Sequence, residues 1–594
     1  MPRPLPEHAV ATLLKQCFKH PSCQRIQQRS ANTTLLSHRT VNTFSLSRQR
    51  RKDVAKATST NSIGRTISTD AKSEDGPQKI AILGGGISGI AAAHYISRDL
   101  PNAEVTIYEG SDRLGGWMKS QRVDVGDKTV LFEQGPRSLR PNPPAGLVTL
   151  DIINNLGLES NLLVTSKDSV AAQSRFVYYP DHLVRMPGPG QDLYTMLWTL
   201  MSEPIFKGLF KSGAFEISRP RRPSSLQDES IGSFLKRRLG SSNIGDNIVS
   251  AVFHGIYAGD IHRLSMKSLM SKLWEWEGEH GNLSEGAVAA MQPPQAHKIG
   301  EIATRHHKDT RLRKEMEQRL KGSDLAERVH DASVYTLKSG LEGLLDAMVT
   351  KLVVNGKITL KTKAPVTNLE LASLSSEKPI RAQITVFSNS NTINYDHVIS
   401  TISAVQLSSI TSNKLPTLKD IRSVTVMVVN LFFADQHLLR EPGFGYLIPQ
   451  SISYDQNPEC ALGVVFDTYS CFGQDTATGT KITVMIGGHW WDGFRDDEYP
   501  TESEGENMAR AILKRHLQID AAPEKVLVGL QKDCIPQYEV GHEARIKQAN
   551  ADLLYHFKGK VSVAGSSYHG VGVNDCVRSA YEAVRTLKEQ SPGP

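Results

Sequence analysis

The chain has 594 residues, of which 39% are hydrophobic and 46 are glycine. This length and composition exclude a small disulfide scaffold and a wholly disordered protein, and they leave room for about three to five structural units. Residues 1–70 hold 12 Lys or Arg against three acidic residues, so they are the source of the net charge of +7. The rest of the chain therefore lacks the basic footprint of a nucleic-acid-binding protein.

Residues 1–72 differ in composition from the rest of the chain. They are rich in Ser, Thr, Gln and Arg and poor in acidic residues, and they lack the continuous apolar core of a secretory signal. This composition predicts a disordered mitochondrial transit peptide. A disordered basic tail without a targeting role is the alternative.

The cysteines argue against disulfides and a metal site, and the apolar runs argue against a membrane-spanning segment. The six cysteines form no C-x-x-C pair, and no histidine spacing beside them matches a zinc site, so we expect neither structural disulfides nor a bound metal. The longest apolar runs, such as Val424–Val429, are far shorter than the ~20 residues that span a bilayer. Any membrane contact is therefore expected from one face.

The segment after residue 78 predicts a nucleotide-binding unit. The apolar run Lys79–Leu83 is followed by the turn Gly84-Gly85-Gly86-Ile87-Ser88-Gly89, a helix at Ile90–Asp99 and a strand at Val105–Tyr108 that leads to Glu109. A strand, a glycine turn, a helix and a strand, with an acid 20 residues after the last glycine, are typical of dinucleotide binding. A purely structural glycine turn is the alternative.

Each residue type in this unit has a physical role. Gly84 permits the tight turn, Gly86 lets the backbone approach a pyrophosphate, and Gly89 allows the helix to pack closely on the strand. Glu109 would accept hydrogen bonds from the adenosine ribose, and its charge disfavours a cofactor with a 2′-phosphate.

Two later blocks favour FAD over NAD. The run Glu109-Gly110-Ser111-Asp112-Arg113-Leu114-Gly115-Gly116-Trp117 resembles the second fingerprint of the flavin amine oxidase superfamily, and Phe132–Ser138 resembles its flavin-proximal loop. Near the end of the chain, Val563–Cys576 is similar to the C-terminal flavin segment of the protoporphyrinogen oxidase family. We expect a helix from about Asp575 to Leu587 to follow this segment.

Two further segments are particular to the protoporphyrinogen oxidase family, namely Gly443–Pro449 and Cys534–Tyr538. The resemblance extends over residues 78–590. Other segments that match in the same order are Arg175–Tyr178, Asp228–Phe234, Gly255–Asp260 and Leu337–Leu344.

The resemblance implies an oxidase that converts protoporphyrinogen IX to protoporphyrin IX in haem biosynthesis. One non-covalent FAD per chain would take a hydride at its N5 atom in each of three cycles, and molecular oxygen would reoxidise it with release of hydrogen peroxide. The pyrrole N–H groups can release the balancing protons, so no catalytic residue is assigned. We interpret five histidines as structural or surface residues, with His569 the first to mutate: His94, His254, His489, His542 and His569.

The resemblance also implies which residues bind the substrate. Arg175 would pair with a propionate, Phe444 and Leu447 would sandwich a macrocycle ring, and the backbone of Gly255 would lie near the substrate. The alternatives are an ion pair at a surface or domain interface for Arg175 and ordinary core packing for Phe444 and Leu447.

The residues implied for FAD lie in separate parts of the sequence. The match at Val366 is short, and the alternative is that Val366 is an ordinary sheet residue. In place of the cysteine that carries a covalent flavin in monoamine oxidases, this chain has Ser566-Ser567-Tyr568. The full set is Gly84, Gly85, Gly86, Ile87, Ser88, Gly89, Glu109, Gly110, Trp117, Gly135, Pro136, Arg137, Ser138, Val366, Ser566, Val571, Gly572 and Val573.

The sequence predicts that the middle of the chain is largely helical. Leu193–Phe210 is apolar with few charges, and the resemblance implies that helices here form a monotopic membrane-binding domain, with a buried core helix as the alternative. Glu301–Lys321 has the mixed charges of a solvated helix. After residue 379, strands of the substrate-domain sheet are predicted at Val386-Phe387, Val398–Thr401, Val424–Ala434, Leu462–Phe466 and Ile482–Gly487, with 396–403 returning to the flavin domain.

The expected fold class is mixed α/β, with a Rossmann-like FAD-binding domain, a mixed-sheet substrate domain and a helical membrane-binding domain. The expected segments are a transit peptide (1–72), FAD-binding parts (73–170, 335–405 and 551–594), a substrate-domain segment (171–185), a helical membrane-binding and substrate region (186–334) and a substrate-binding domain (406–550).

The resemblance places the protein on the mitochondrial inner membrane, facing the intermembrane space, with the lipid surface as a partner. A homodimer and a contact with a ferrochelatase are left open, and no nucleic acid is expected. Two other functions compete with this one: an FAD oxidase acting on amines or polyenes, and a catalytically silent flavoprotein that serves as an assembly partner.

Overall fold

A computed structural model describes residues 77–188, 191–290, 301–372, 381–386 and 392–590, with only the backbone of residues 301–306. These residues belong to one of the two units of the chain, and the other unit, Cys23–Gly76, lies outside them. The predicted transit peptide, residues 1–72, also lies outside the described residues.

A five-stranded parallel sheet carries the glycine-rich turn. Its central strand, Lys79–Leu83, lies between Glu104–Tyr108 and His397–Ser400, and every pairing in the sheet is parallel. Residues 80–83 are at most 1% exposed, as expected for a parallel strand that is covered on both faces. The strand order is Val561–Val563, His397–Ser400, Lys79–Leu83, Glu104–Tyr108, Ile358–Lys361.

Helices cover both faces of the parallel sheet. One apolar core forms with the first group, which is Ile87–Asp99, Ala145–Leu156, Glu342–Val354 and Val573–Gln590. A second core forms against the other face, with the helices Ala404–Ile410 and His542–Phe557. Two buried layers therefore hold the carboxyl ends of the central strands in fixed positions.

Smaller sheets flank this core. A hairpin joins Ser120–Val125 to Lys128–Glu133, and Leu162–Ser166 pairs antiparallel with Ala332–Leu337. The prediction that the strand at Val386 belongs to the substrate-domain sheet is wrong, because Ala382–Val386 pairs with its sequence neighbours. Phe387 lies outside the described residues. The resulting three-stranded sheet is Val366–Leu371, Ala382–Val386, Thr392–Tyr395.

A seven-stranded mixed sheet forms the second large layer. Its longest central strand, Ser423–Phe433, pairs antiparallel with Thr480–Gly487 and Lys525–Pro536. The helix Glu502–Leu517 packs on it, and the short helices Val170–Gln173 and Asp467–Ser470 lie beside it. The mixed α/β class is thus confirmed. The strand order is Lys525–Pro536, Ser423–Phe433, Thr480–Gly487, Ala461–Val465, Gly445–Leu447, Phe176–Tyr178, Leu183–Arg185.

The described residues at 191–290 and 301–331 are mainly helical. The predicted segment Leu193–Phe210 is divided, because Pro204 disfavours a helical conformation at the preceding residue. No helix in the described ranges is long and apolar enough to cross a membrane. The helices are Leu193–Ser202, Leu209–Glu216, Ile231–Leu239, Ser250–Tyr257, Met266–Leu269, Ser271–His280, Leu283–Ala290, Glu301–Arg319 and Leu325–Arg328.

A buried ionic cluster joins three of these helices. Arg238 is 0% exposed, and its guanidinium forms ion pairs with Glu216 and Glu277, which are 1% and 0% exposed. Arg238 also donates to the Glu216 carbonyl at 2.9 Å. Glu277 also pairs with Arg222 and Arg237, but Arg238 is the ionic partner of Glu216, so removing Arg238 would leave the buried Glu216 carboxylate without a cation in a medium of low polarity.

We therefore predict that Arg238→Ala lowers the free energy of unfolding by about 3–5 kcal/mol. The matched control is Arg313→Ala, which removes a guanidinium paired with Glu317 where both side chains are about half exposed, 47% and 50%. The control substitution should lower the free energy of unfolding by less than about 1 kcal/mol. Thermal and urea unfolding measure both, and equal effects of the two substitutions would contradict the structural role of the cluster.

Candidate cofactor and substrate site

The glycine turn lies at the carboxyl end of the central strand. Gly84 has a φ of +102°, a conformation that favours glycine, and its amide donates to the Tyr108 carbonyl at 2.8 Å. A Cβ at Gly89 would lie 2.0 Å from the Gly84 carbonyl oxygen. The helix Ile87–Asp99 can therefore approach the turn this closely only with glycine at 89.

The start of this helix has no side-chain cap. Gly86 is its N-cap, in extended conformation, and no side chain accepts a hydrogen bond from the first turn. Uncapped amides at a helix N-terminus favour an anion. A Cβ at Gly86 would meet only Gly116 Cα, at 3.8 Å, so a side chain there would enter the open space in front of the helix rather than clash with the fold.

The two glycine-rich segments lie side by side. Gly115 donates to the Gly85 carbonyl at 2.9 Å, and Gly86 and Gly115 form an isolated parallel bridge. Arg113 donates to the carbonyl of Gly116 at 2.9 Å and so holds the second segment in its turn. The run that sequence analysis compared with the second flavin fingerprint thus lies against the first.

The acid after the second strand lies over the same turn. One Glu109 carboxylate oxygen accepts from the Gly85 amide at 2.7 Å, and the other accepts from the Ser111 amide at 2.8 Å. The Glu109 carbonyl accepts from Ala364 at 2.9 Å, two residues before Val366. The structure therefore brings Glu109, Gly110 and Val366 together at this end of the cleft.

The segment Gly135–Ser138 links the cofactor side to the seven-stranded sheet. Gly135 lies directly against the main chain of Trp117, which is 44% exposed. Arg137 donates to Asp467 at 3.1 and 3.3 Å. Its guanidinium is thus neutralised by a carboxylate of the other layer, which the sequence did not reveal.

Glu133, just before this segment, is a buried acid that sequence reasoning did not place in the site. Its oxygens accept from Ser120 Oγ at 2.7 Å and from the Leu341 amide at 2.8 Å. Burial raises the pKa of Glu133 to about 7, although these hydrogen bonds and the charge of Arg137 act in the opposite direction. Near neutral pH its carboxyl therefore holds a proton part of the time.

The C-terminal segment returns to the first turn. Gly565, before Ser566, approaches Ser88 and donates to Ser579 Oγ at 2.9 Å. Val571–Val573 then leads into the helix Val573–Gln590, which begins two residues earlier than predicted. Burial raises the pKa of Asp575, in its first turn, to about 6, opposed by the charge of Arg578.

The four residues predicted to bind substrate form two contacting pairs. Leu447 Cδ2 lies 2.8 Å from where a Cβ of Gly255 would stand, so the helix Ser250–Tyr257 and the strand Gly445–Leu447 touch there. Phe444 and Leu447 are half-buried, whereas Tyr446 between them is 1% exposed and part of the core. Phe444 and Leu447 are therefore only partly buried, and Leu447 also packs against the core cluster that contains Ile248.

Arg175 forms the other pair with Phe444. Its guanidinium carbon lies 5.8 Å from the centre of the Phe444 ring, and its Nη2 donates to Ser333 Oγ at 3.5 Å. Its buried Nε has no hydrogen-bond partner, and no carboxylate of the described residues pairs with it. Burial and then the charge of Arg140 lower the pKa of Arg175 to about 10, so it stays cationic at neutral pH.

Arg140 is a cation that sequence reasoning missed. Arg140 is an exposed residue, although desolvation by the protein around it lowers its pKa, and its carbonyl accepts from Asn574 Nδ2 at 2.7 Å beside the C-terminal flavin segment. Arg140 lies two residues after Ser138, so its place in the sequence already indicated a position close to the flavin-proximal loop. Two guanidiniums close enough to repel each other thus share this part of the fold.

His254 and His489 are hydrogen-bonded to each other. His254 Nδ1 lies 2.6 Å from the Ile448 carbonyl, which only accepts, so Nδ1 carries the hydrogen and Nε2 accepts from His489 Nε2 at 2.8 Å. Burial lowers the pKa of His254 to about 3 and that of His489 to about 4. Burial likewise lowers the pKa of His94 to about 4 and of His542 to about 3. Because their lowered pKa values make these four histidines weak bases, we assign none of them as a base.

These features fit a dinucleotide such as FAD. The uncapped helix start and the open space at Gly86 suit a pyrophosphate, and Glu109 lies at the ribose position after the second strand. The residues that would hold the rest of the cofactor converge from 135–138, 366 and 566–573, which are far apart in sequence.

Comparisons with known proteins agree with this geometry. A model of flavin containing amine oxidoreductases matches residues 87–588. The protoporphyrinogen oxidase of Schizosaccharomyces pombe is 32% identical over 86% of this chain and 98% of its own length. That of Homo sapiens is 33% identical over 86% of this chain and 99% of its own length.

A crystal structure from Exiguobacterium sp. 255-15 has a TM-score of 0.64 at 22% identity. The match covers 86% of this chain and 99% of that one. At this level of identity the likeness shows a common fold.

We predict that Gly86→Val gives a folded protein without flavin, because the added side chain fills the space in front of the helix without meeting the fold. Gly89→Ala is the matched comparison and should lower the thermal unfolding temperature, because its methyl group meets the Gly84 carbonyl. Flavin absorbance per chain and thermal unfolding measure both. A full complement of flavin in Gly86→Val would contradict the placement of the cofactor.

Proposed function

The chain belongs to the flavin containing amine oxidoreductases and, among them, to the protoporphyrinogen oxidase family, and we propose that it oxidises protoporphyrinogen IX to protoporphyrin IX in haem biosynthesis. In the proposed reaction six electrons leave the macrocycle in three two-electron steps. Molecular oxygen is the final acceptor, and each step yields one hydrogen peroxide.

One observation supports this substrate above all: Arg175 is a half-buried cation that has no carboxylate partner among the described residues, and its buried Nε has no hydrogen-bond partner. An unpaired buried guanidinium is costly unless a ligand brings an anion to it. Beside it, Phe444, Leu447 and Gly255 offer an apolar wall. A flat apolar macrocycle with a propionate edge has the complementary chemistry.

When bound, FAD would supply the acceptor for a hydride equivalent from the substrate. The chain's residues would hold it through the uncapped amides after Gly86, the Glu109 carboxylate and the segments 135–138 and 566–573. Arg175 and the apolar wall would orient the macrocycle. Three hydride equivalents and three protons leave: the hydrides come from meso carbons, two protons come from pyrrole N–H groups, and the third comes from the remaining meso carbon and can leave through a pyrrole nitrogen after tautomerisation. We assign no base from the chain.

We propose that the cofactor is bound without a covalent bond. Cys576, the last residue of the C-terminal flavin segment, is buried, and burial raises the pKa of its thiol to about 12. A thiol that stays protonated is a poor nucleophile. Ser566-Ser567-Tyr568 offers no sulfur at the turn itself.

The test of this function is anaerobic. The full chain, purified in detergent with its flavin, is mixed with protoporphyrinogen IX while flavin absorbance and porphyrin fluorescence are recorded. Bleaching of the flavin as porphyrin appears, followed by recovery on admission of air with stoichiometric peroxide, is the expected result. Flavin that stays oxidised with this substrate but bleaches with an amine or a polyene would overturn the proposal.

We predict that Arg175→Ala raises the KM for protoporphyrinogen IX by about tenfold or more, because a propionate loses its cation. Arg175→Lys is the matched variant, and it should give a smaller rise because the charge remains without the planar pair of donors. The flavin spectrum should stay unchanged in both. Steady-state kinetics with an unaltered KM in Arg175→Ala would remove this residue from the substrate site.

We further propose that the protein reaches the mitochondrion through residues 1–72 and binds the inner membrane from the intermembrane-space side. The helix Leu193–Ser202 has no buried residue, and Trp198 and Met201 are 63% and 77% exposed. Lys207 and Lys211, which are exposed, follow in sequence. Exposed apolar side chains near cations are typical of an element that dips into a lipid surface.

Accordingly, the double substitution Trp198→Glu and Met201→Glu should weaken binding to phosphatidylcholine–phosphatidylglycerol vesicles by about tenfold or more, because each charge resists burial in lipid. Tyr454→Glu with Phe472→Glu is the control, at positions 78% and 82% exposed elsewhere. Vesicle flotation measures binding. Equal losses in the two double variants would argue against this helix as the membrane contact.

A further inference from the structure

The motif Ile535–Tyr538 lies between two parts of the site. One is the apolar wall of Phe444, Leu447 and Gly255, called the substrate wall from here on, and the other is the C-terminal flavin segment. The motif includes the end of the long strand Lys525–Pro536 and the two residues after it. Gln537 is 3% exposed, and its side-chain amide donates to the Tyr257 carbonyl at 2.8 Å. Tyr257 ends the helix that carries Gly255, so Gln537 holds the substrate wall.

The next residue, Tyr538, holds the cofactor side. Its hydroxyl donates to the Ser566 carbonyl and accepts from the Gly570 amide, with 2.7 Å between Tyr538 Oη and Gly570 N. A carbonyl only accepts and an amide only donates, so the single hydroxyl proton must go to Ser566. One side chain therefore bridges both ends of the turn that precedes Val571–Val573.

The Tyr538 ring is itself firmly held. It stacks on the His542 ring with centroids 3.9 Å apart and planes at 9°, and the Tyr538 carbonyl accepts from the Ser265 amide at 2.8 Å. Burial raises the pKa of Tyr538 well above its ordinary value, so the hydroxyl keeps its proton. The hydroxyl therefore stays able to donate to the Ser566 carbonyl while it accepts from the Gly570 amide.

We propose that Tyr538 is a positioning residue for the oxidation: its hydroxyl fixes the turn Ser566–Gly570, and hence Val571–Val573, against the cofactor. Gln537 beside it fixes the helix of Gly255. Two adjacent residues thus set the position of the cofactor segment relative to the substrate wall. This inference rests on the proposed function for its catalytic consequence and on the hydrogen bonds for its structural part.

The experiment compares Tyr538→Phe with Tyr568→Phe. Tyr538→Phe keeps the ring and its stacking on His542, but it leaves the Gly570 amide and the Ser566 carbonyl without their partner. Tyr568 is the matched control, since it is 4% exposed in the same turn and its hydroxyl has no hydrogen-bond partner among the described residues.

Three readouts are measured on the flavin-loaded full chain: the visible flavin spectrum, the flavin midpoint potential by dye equilibration, and the kinetics of anaerobic flavin reduction by protoporphyrinogen IX. In Tyr538→Phe we expect one flavin per chain, a changed spectrum and potential, and a reduction rate about tenfold lower with KM altered less than about twofold. Tyr568→Phe should match the parent in all three.

A parental spectrum, potential and rate in Tyr538→Phe, or equal changes in both variants, would overturn the proposal. If the parent chain fails to oxidise protoporphyrinogen IX, the proposed function is wrong, while the spectrum and potential still decide the role of Tyr538. Should Tyr538→Phe fail to fold, 3,5-difluorotyrosine at 538 keeps the ring and alters the strength of the hydroxyl as a donor. The same substitution at 568 is the control. If the flavin potential with 3,5-difluorotyrosine at 538 equals the potential with 3,5-difluorotyrosine at 568, the proposal is also overturned.

Discussion

The site depends on how closely the chain packs at the carboxyl end of the strand Lys79–Leu83. Thr401 Oγ1 donates to the Leu83 carbonyl at 2.8 Å, directly beside the positive-φ turn at Gly84. Gly89 brings the helix against the same turn, and Gly565 approaches from the far end of the sequence. Because these segments share one small volume, a displacement of any one of them would move the whole cofactor cleft.

The most deeply buried cations of the fold are paired with carboxylates. Where the fold needs rigidity, buried cations are paired: Arg238 with Glu216 and Glu277, and Lys481 with Asp475 at 2.7 Å. Each pair neutralises charge that would otherwise oppose folding. Arg175 is half-buried and has no carboxylate partner in the described part of the chain, a property that it shares with Arg185, Arg219 and Arg545. The electrostatic cost of Arg175 is the feature that a carboxylate-bearing ligand would relieve.

The two large layers meet through contacts that serve both the fold and the site. Arg137 of the flavin-proximal loop bonds to Asp467 of the other layer. Gln537 and Tyr538 connect the end of a long strand both to the helix of Gly255 and to the C-terminal flavin turn. A cofactor segment and a substrate wall built on separate layers need such ties, since transfer between two molecules depends steeply on their distance and orientation.

The sequence by itself determined the parts of the protein that local rules govern. Glycine at 84, 86 and 89 with an acid at 109 specifies the turn and its neighbouring strands, because backbone conformation and close approach leave few residue choices there. The apolar runs at 424–434 and 482–487 specify strands for a similar local reason. Family resemblance named Arg175, Phe444, Leu447 and Gly255 without showing how they meet.

Only the tertiary structure decided which side chains pair. The partners Arg137 and Asp467, His254 and His489, and Tyr538 and Gly570 are far apart in sequence, and no periodicity links them. The strand at Val386 joined its sequence neighbours instead of the large sheet. Partner choice depends on how distant elements pack, and that is settled by the burial of whole faces, which a local pattern does not encode.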